Sequence, residues 1–238
     1  MRFLPAGDTA VLVEFGDRID RGVSDRVLRL SAQVRAANLP GIVETVPTFR
    51  SLLVHYDPLA TDSASLTAAI ENLLDSGQGE TQPVTLWRIP ACYAASHAPD
   101  LVEVAQRTGL SAAEVVRLHS GTRYHVYMIG FVPGFPYMGD LPTLLSLPRR
   151  SDPRVRVPAG SIAIATTMTA VYPLESPGGW HLIGATPIRL FDLRRASPAL
   201  FSPGDAVQFE PIAPDEFDAI RAAVAADAYQ VPCAMIAP

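Results

Sequence analysis

Two histidines and a glutamate in the second half of the chain could carry proton-transfer chemistry. His119 and His181 are candidate catalytic residues because imidazole titrates near neutral pH. Glu175, a short distance before His181, is the third candidate because a carboxylate can orient a substrate or accept its proton. His119 has a structural alternative, since a protonated ring at a helix end stabilises the helix dipole. These residues predict acid–base chemistry without fixing which group performs it.

Four arginines lie between prolines in one short segment and could bind an anionic substrate. They are Arg149, Arg150, Arg154 and Arg156. A guanidinium donates two parallel hydrogen bonds to a carboxylate or phosphate, and flanking prolines limit the entropy lost on binding. The alternative is a solvated loop whose arginines pair with neighbouring aspartates such as Asp152. The segment predicts that at least one arginine contacts a substrate carboxylate or a partner protein.

Aromatic and hydroxyl side chains near these arginines are the remaining candidates for substrate contact. Phe131, Tyr137 and Trp180 could line a binding pocket or an interface, although aromatic residues also build cores. Ser161 and Ser176 could hydrogen-bond to a substrate; a serine in a turn can instead bond its own backbone.

Several catalytic and binding classes have no motif in the sequence. All 19 cationic residues are arginine, which excludes a Schiff-base lysine and the lysine of a P-loop. No G-x-S-x-G nucleophile motif occurs, and no spacing of histidines or cysteines is typical of a metal site. The net charge of −5 gives no basic surface for nucleic acid or an anionic membrane. We therefore expect no metal, no nucleic acid and no membrane among the binding partners.

The sequence also predicts a soluble cytoplasmic protein. Cys92 and Cys233 are expected to be reduced thiols rather than a disulfide. No apolar run approaches the ~20 residues that span a bilayer. Pro5 and Gly7 interrupt the start of the chain, so no signal peptide is expected there.

Hydrophobic periodicity predicts a small α+β domain over residues 1–80. A strand from Ala10 to Phe15 precedes a helix from Asp20 to Ala37, in which apolar residues recur at helical spacing. Two strands, Ile42–Phe49 and Leu52–Tyr56, follow as a hairpin, and a second helix runs from Ser63 to Leu74. The Gly-rich stretch Ser76–Pro83 is predicted to be the interdomain linker.

Residues 81–238 are predicted to form a second, β-rich domain. A strand over 84–89 and two helices over 99–108 and 111–119 come first, with Ser111 and Glu114 forming a capping box. Short apolar runs then alternate with glycine and proline, which favours a closed or nearly closed antiparallel barrel. The runs are 124–132, 161–165, 169–172, 180–185 and 207–210. Frequent prolines exclude a long helix until a final one over 214–226.

Three segments with unusual content of glycine, proline, arginine and aromatic residues carry a family resemblance. They read GFVPGFPYMGDLP (130–142), PRRSDPRVRVPAGS (148–161) and YPLESPGGWHLIGATP (172–187). The order and wording of these segments resemble the family of allophanate hydrolase subunit 1 and the 5-oxoprolinase B subunit (KipI-like). They are also similar to the carboxyltransferase region of urea carboxylase. The resemblance covers the whole chain.

The resemblance implies a cyclophilin-like β-barrel for the second domain and a KipI N-terminal-like first domain. It implies a partner of the 5-oxoprolinase C-subunit or allophanate hydrolase subunit 2 type, possibly a LamB/YcsF-type protein, and ATP used at the level of the complex. The implied function is 5-oxoprolinase activity, which opens 5-oxoproline to glutamate. The alternatives are a KipI-type inhibitor of a sensor histidine kinase and an allophanate hydrolase or urea carboxylase-related subunit.

The sequence departs from the family pattern at four positions. Thr166, Ala170 and Asp140 replace glycines, and Ala185 replaces an arginine. Because the lost arginine could bind an anion, its absence bears on substrate choice.

Overall fold

The computed structural model describes residues 1–75 and 83–237. The chain divides into two compact units, Met1–Pro83 and Val84–Ala237. The predicted linker Ser76–Pro83 lies, apart from Pro83, outside the described residues. In those two ranges no helix is both long enough and apolar enough to cross a membrane.

The first unit is a four-stranded antiparallel sheet with two helices. Its elements are β1 (Arg2–Pro5), β2 (Ala10–Glu14), α1 (Arg21–Ala37), β3 (Ile42–Pro47), β4 (Ser51–Tyr56) and α2 (Ser63–Asp75). The strand order is β1-β2-β4-β3. Each element expected from the periodicity is confirmed to within a few residues; β1 was not predicted.

The alternation of apolar residues in the strands and their helical spacing in α1 and α2 together produce the core of this unit. In the β2–β4 ladder Val11 pairs with Val54 and Val13 with Leu52, so these buried side chains share one face of the sheet. Val27, Leu30 and Val34 of α1, and Leu66 and Ile70 of α2, join the same apolar cluster. Asp20 accepts a hydrogen bond from the Val23 N–H (3.1 Å) and caps α1.

The second unit is built mainly of strands. They are β5 (Val84–Ala91), β6 (Arg123–Ile129), β7 (Pro136–Gly139), β8 (Arg154–Val157), β9 (Ser161–Ala165), β10 (Met168–Val171), β11 (Ser176–Gly178), β12 (His181–Ala185), β13 (Ala206–Pro211) and β14 (Cys233–Ile236). Its helices are α3 (Leu101–Thr108), α4 (Ala112–Ser120) and α5 (Pro214–Ala225), with a 3-10 turn at Thr143–Leu145. The helices, the Ser111–Glu114 capping box and the five predicted apolar strands are confirmed. The short strands β7, β8, β11 and β14 were missed, because each has only three or four residues and is too short for a clear hydrophobic pattern.

The expected antiparallel closed barrel is corrected by the sheet topology. Eight strands form one mixed sheet in the order β12-β9-β10-β7-β6-β13-β5-β14, and β13 pairs with β5 in parallel. Within the described residues this sheet does not close as a continuous ladder; a single antiparallel bridge joins Cys92, just after β5, to Ala185 of β12. Strands β8 and β11 form a separate two-stranded sheet. The α+β class holds, and the cyclophilin-like description stays a prediction.

Two departures from the family pattern occupy left-handed backbone positions. Thr166, in the turn between β9 and β10, has φ +52, and Asp140, just after β7, has φ +71. Glycine adopts this region without steric cost, which explains why glycine suits both positions. Aspartate tolerates the region better than β-branched threonine does. The β9–β10 turn nevertheless forms, and Met168 pairs with Ala165 across it. The Thr166 N–H donates to the Leu147 carbonyl (2.6 Å), which ties the turn to a neighbouring segment.

Cys92 is buried and Cys233 is exposed, and both are free thiols, as expected.

Candidate functional site

The three sequence segments that stand out in the second unit converge on one surface. The Phe135 ring lies 5.1 Å from that of Tyr172 and 6.2 Å from that of Trp180, both measured between centroids. The middle segment joins them where Arg149 stands over the Trp180 ring at 5.9 Å. We call this group the signature surface. It consists of Phe131, Phe135, Tyr137, Arg149, Tyr172 and Trp180.

The aromatic members of the signature surface range from buried to exposed. Phe135, Tyr172 and Trp180 are buried, whereas Tyr137 is half-buried and Phe131 is 62% exposed. Phe131 lies in the β6–β7 connection with φ +70, a left-handed conformation that is unusual for a bulky residue. Backbone strain of this kind is frequently found at functional sites. The surface therefore has a rigid buried base with two aromatic side chains that reach solvent.

The phenols of the signature surface are protonated at neutral pH, and burial raises their pKa values further. Desolvation raises the pKa of Tyr137, and the nearby Arg149 guanidinium acts in the opposite direction. Desolvation also raises the pKa of Tyr172, against a hydrogen bond with the Trp180 backbone and the charge of Arg149. A phenol that retains its proton at neutral pH can donate a hydrogen bond. Two such donors accompany the arginine charge on this surface.

Main-chain and side-chain hydrogen bonds hold Arg149 from both sides. The Pro148 carbonyl accepts from Nε2 of His181 (3.0 Å), and the Arg150 N–H donates to the Gly179 carbonyl (2.8 Å). The residue between these anchors is Arg149, whose guanidinium lies within cation–π range of Trp180. Arg149 is exposed and has no carboxylate partner in the described part of the chain. Its charge is available to an anionic ligand.

Arg154 and Arg150 point instead to a buried aspartate, Asp100. Arg154 donates to both carboxylate oxygens of Asp100, at 2.9 and 2.5 Å, and Arg150 approaches the same group at 3.4 Å. The carboxylate also accepts from the Leu182 N–H (2.7 Å), and Asp100 is only 3% exposed. This cluster joins the start of α3 to the β8 segment and to β12. The position of Arg154 indicates that this residue has a structural role and does not bind substrate.

Arg156 and Glu175 form an exposed ion pair with each other. Two hydrogen bonds of 2.9 Å join the guanidinium to the carboxylate, across the β8–β11 ribbon. Both side chains are more than half exposed, so solvent screens the pair and it contributes little to stability. Neither residue is brought next to a candidate histidine by a described contact.

His119 lies in the core of the unit rather than at a surface. Its Nδ1 accepts from the Tyr93 hydroxyl (2.8 Å) and its Nε2 donates to Thr169 (2.9 Å), which in turn donates to a backbone carbonyl. The ring stacks on Phe209 at 4.7 Å. Burial lowers the pKa of His119 from 6.5 to about 3. Fully buried, with both nitrogens engaged, this neutral ring is placed for structure and has no access to a substrate.

Lowering the pH from 7.5 to 5.5 is expected to destabilise the second unit through His119. The unfolded chain binds a proton near pH 6.5, whereas the folded ring stays neutral until about pH 3. The contribution of neutral His119 to the free energy of unfolding is therefore complete above pH 6.5. Below that pH it falls by about 1.4 kcal/mol per pH unit. Urea unfolding followed by tryptophan fluorescence measures this unit alone, since Trp87 and Trp180 both lie in it. His119→Gln should reduce the pH dependence; equal dependence in both proteins would contradict this role.

The remaining predicted site residues are His181, Ser176 and Ser161, and the structure places each in a different setting. His181 is fully buried at the start of β12, where it anchors the Arg149 loop. Ser176 has a buried hydroxyl without a hydrogen-bond partner in the described ranges. Ser161 accepts a backbone hydrogen bond from Tyr172 (2.9 Å) and lines a groove of about 490 Å³. Ala185, where the family pattern has arginine, lines the same groove.

Sequence reasoning missed Asp100, Tyr172 and Tyr93. The order Pro99–Asp100–Leu101 signals a helix N-cap, but the carboxylate makes no capping bond and turns to Arg154. No local sequence pattern predicts that Asp100 forms an ion pair with Arg154. Among the described residues, no group of three or more His, Cys, Asp or Glu side chains could hold a metal ion.

Comparisons with known proteins agree on one family. The sequence matches the model described as carboxyltransferase domain, subdomain C and D, over residues 1–201. It is 36% identical over 226 residues to the B subunit of 5-oxoprolinase from Bacillus subtilis (strain 168), with 90% of this chain and 94% of that protein covered. It is 39% identical over 208 residues to the B subunit of 5-oxoprolinase from Escherichia coli O157:H7, with 86% and 93% covered.

Two solved structures that resemble this chain belong to longer proteins. The crystal structure of TTHA0988 superimposes with a TM-score of 0.78 at 36% identity, covering 86% of this chain. The chain spans only 40% of the length of that protein. The Kluyveromyces lactis urea amidolyase matches 98% of this chain with a TM-score of 0.79, at 21% identity and over 16% of its own length. At 21% identity, the similarity to urea amidolyase shows a shared fold and nothing further.

Proposed function

Because this chain belongs to the carboxyltransferase domain family, subdomains C and D, we propose that it is a subunit of a 5-oxoprolinase complex. Both bacterial relatives described above are named as the B subunit of 5-oxoprolinase and align over nearly their whole length. The complex would hydrolyse the cyclic amide of 5-oxoproline to glutamate in the cytoplasm, with ATP consumed by the assembly. The cyclophilin-like description of the second unit belongs to the same proposal.

One observation carries the proposed role of this chain: Arg149 is held in place without a carboxylate partner in the described residues. 5-Oxoproline carries a carboxylate beside its lactam, and a guanidinium is well suited to bind a carboxylate. The half-buried Tyr137 phenol is protonated at neutral pH and can donate to a lactam oxygen or to the carboxylate. We assign substrate positioning to Arg149 and Tyr137, over the aromatic base formed by Phe135 and Trp180.

The signature surface supplies only part of a catalytic site. His119 is sequestered in the core, and Glu175 is paired with Arg156 at an exposed position. The group that activates water or the amide must then come from elsewhere in the complex. We propose that a partner of the C-subunit or subunit 2 type contributes it and the ATP site, and that a LamB/YcsF-type protein completes the assembly. The greater length of the TTHA0988 chain is compatible with further domains beside this one.

The direct test is glutamate formation from 5-oxoproline by the chain co-expressed and co-purified with its partner proteins. Glutamate should accumulate only when ATP, this chain and the partners are all present. Urea and allophanate should be tested in parallel as substrates, because one structurally similar protein is named urea amidolyase. An assembled complex that releases no glutamate, or that turns over a urea-derived substrate instead, would disprove the assignment. Inhibition of a sensor histidine kinase stays an untested alternative.

A further inference from the structure

We propose that the groove beside Ser161 is a second ligand site, which binds a small organic carboxylate. The groove has a volume of about 490 Å³ and lies wholly within the second unit. One wall is the turn Pro158–Ser161, and the other is the face of α5 that carries Phe217, Arg221 and Val224. None of the six residues of the signature surface lines it. The groove is therefore a separate cavity, although the Tyr172 N–H donates to the Ser161 carbonyl (2.9 Å) and links the two places through the backbone.

The wall containing Ser161 is fixed by the backbone. Gly160 donates to the Tyr172 carbonyl (2.7 Å), and its own carbonyl accepts from the Thr186 N–H (2.8 Å). Gly160 has φ +83, and a Cβ there would lie 2.4 Å from the Thr186 carbonyl oxygen, so no side chain fits. A wall held in this way loses little conformational entropy when a ligand binds.

Ser161 supplies a polar group that the protein itself does not use. The residue is only 6% exposed, yet it lines the groove, and its hydroxyl forms no hydrogen bond with any described residue. Because Ser161 lines the groove, its hydroxyl is open to form a hydrogen bond there as donor or acceptor. A ligand in the groove can provide that bond.

The charges around the groove select an anion. Two arginines, Arg189 and Arg221, line the groove, and no aspartate or glutamate is among its lining residues. Arg189 is engaged with Asp192 at 2.8 Å. Among the described residues Arg221 pairs with Asp218, one helical turn away, and its guanidinium lies 5.7 Å from the Phe217 ring centroid. The side chains of Arg221 and Asp218 are both 62% exposed. Such surface pairs are weak, so Arg221 can turn to a ligand carboxylate at little cost.

Size and lining together define the ligand class. A volume of about 490 Å³ is in the range of small-molecule sites, roughly 300–1,000 Å³. Apolar side chains, including Leu182 and Phe217, separate the polar groups of the lining. The fitting ligand has a carboxylate for Arg221, an apolar body and a second polar group for Ser161. Acids of the size of an amino acid or a cyclic amide have these features.

Calorimetric titration of the isolated full-length chain tests the site with 5-oxoproline, glutamate and acetate as probes. We expect saturable binding of at least one of the two larger acids, weaker binding of acetate, and unchanged affinity in Arg156→Ala. Arg221→Ala should weaken binding about tenfold or more, and Ser161→Ala about three- to tenfold. Thermal unfolding of each variant verifies that it is folded.

Two outcomes would overturn the second site. They are no saturable binding of any probe, and affinity unchanged in both Ser161→Ala and Arg221→Ala. The second result would place the ligand outside the groove. Since the titration needs neither ATP nor partner proteins, failure here leaves the glutamate assay of the complex unaffected, and the reverse also holds.

Discussion

Arg149→Ala is expected to reduce kcat/KM for 5-oxoproline by about 10- to 100-fold in the assembled complex, mainly through a higher KM. A charge-assisted hydrogen bond contributes about 1.5–3 kcal/mol, and each 1.4 kcal/mol is tenfold. The carboxylate does not react, so its contact with Arg149 should stabilise the bound substrate and the transition state alike. Because Arg149 is exposed and lies over Trp180, its truncation should leave the fold intact. Initial rates over a range of 5-oxoproline concentrations measure the effect.

Arg156→Ala is the matched control for Arg149→Ala. It removes the same charge from the same segment, but its guanidinium is paired with Glu175 at the surface. Activity within twofold of the unmodified complex is expected. If the two variants lose activity equally, general electrostatics explains the loss and Arg149 has no specific role.

His181 variants separate positioning from proton transfer. His181→Gln retains an N–H that can donate to the Pro148 carbonyl, whereas His181→Leu does not. If His181 acts by holding the Arg149 loop, the glutamine variant should recover most of the activity and the leucine variant should raise KM. Complete inactivity of His181→Gln at every pH, with a normal KM, would instead assign proton transfer to this histidine.

Asp100→Ala is expected to lower the free energy of unfolding of the second unit by about 3 kcal/mol. Removing one partner from a buried ion pair leaves the other charge uncompensated. Here the change affects Arg154, Arg150 and the Leu182 N–H together, because all three donate to the same carboxylate. Urea unfolding followed by tryptophan fluorescence measures the loss, since both tryptophans lie in this unit.

Asp152→Ala controls for the loss of a carboxylate near the same arginines. Asp152 is exposed, and its side chain makes no ion pair in the described chain. A change below about 0.5 kcal/mol is expected for such a surface position. Equal destabilisation by the two substitutions would mean that the Asp100 cluster is not an important source of stability.

The sequence alone determined the local elements and the family. Apolar residues at helical spacing placed α1 from Val23 to Val34, and the Ser111–Glu114 capping box fixed the start of α4, because these signals act within a few residues. The three Gly- and Pro-rich segments identified the family, which the comparisons confirm. They also indicated the region in which Arg149, Tyr137 and Trp180 come together.

Only the tertiary structure decided what each candidate residue does. Four neighbouring arginines look equivalent in the sequence, yet Arg154 reaches Asp100, 54 positions away, while Arg149 is held over Trp180. His119 similarly finds Thr169 across 50 positions and becomes a neutral core residue. Such contacts depend on how β9, β10 and β12 pair and on where α3 and α4 pack, and no short-range pattern encodes that geometry. Burial then sets charge and accessibility, which is why the sequence identified the arginines but the fold determined which of them is available to a substrate.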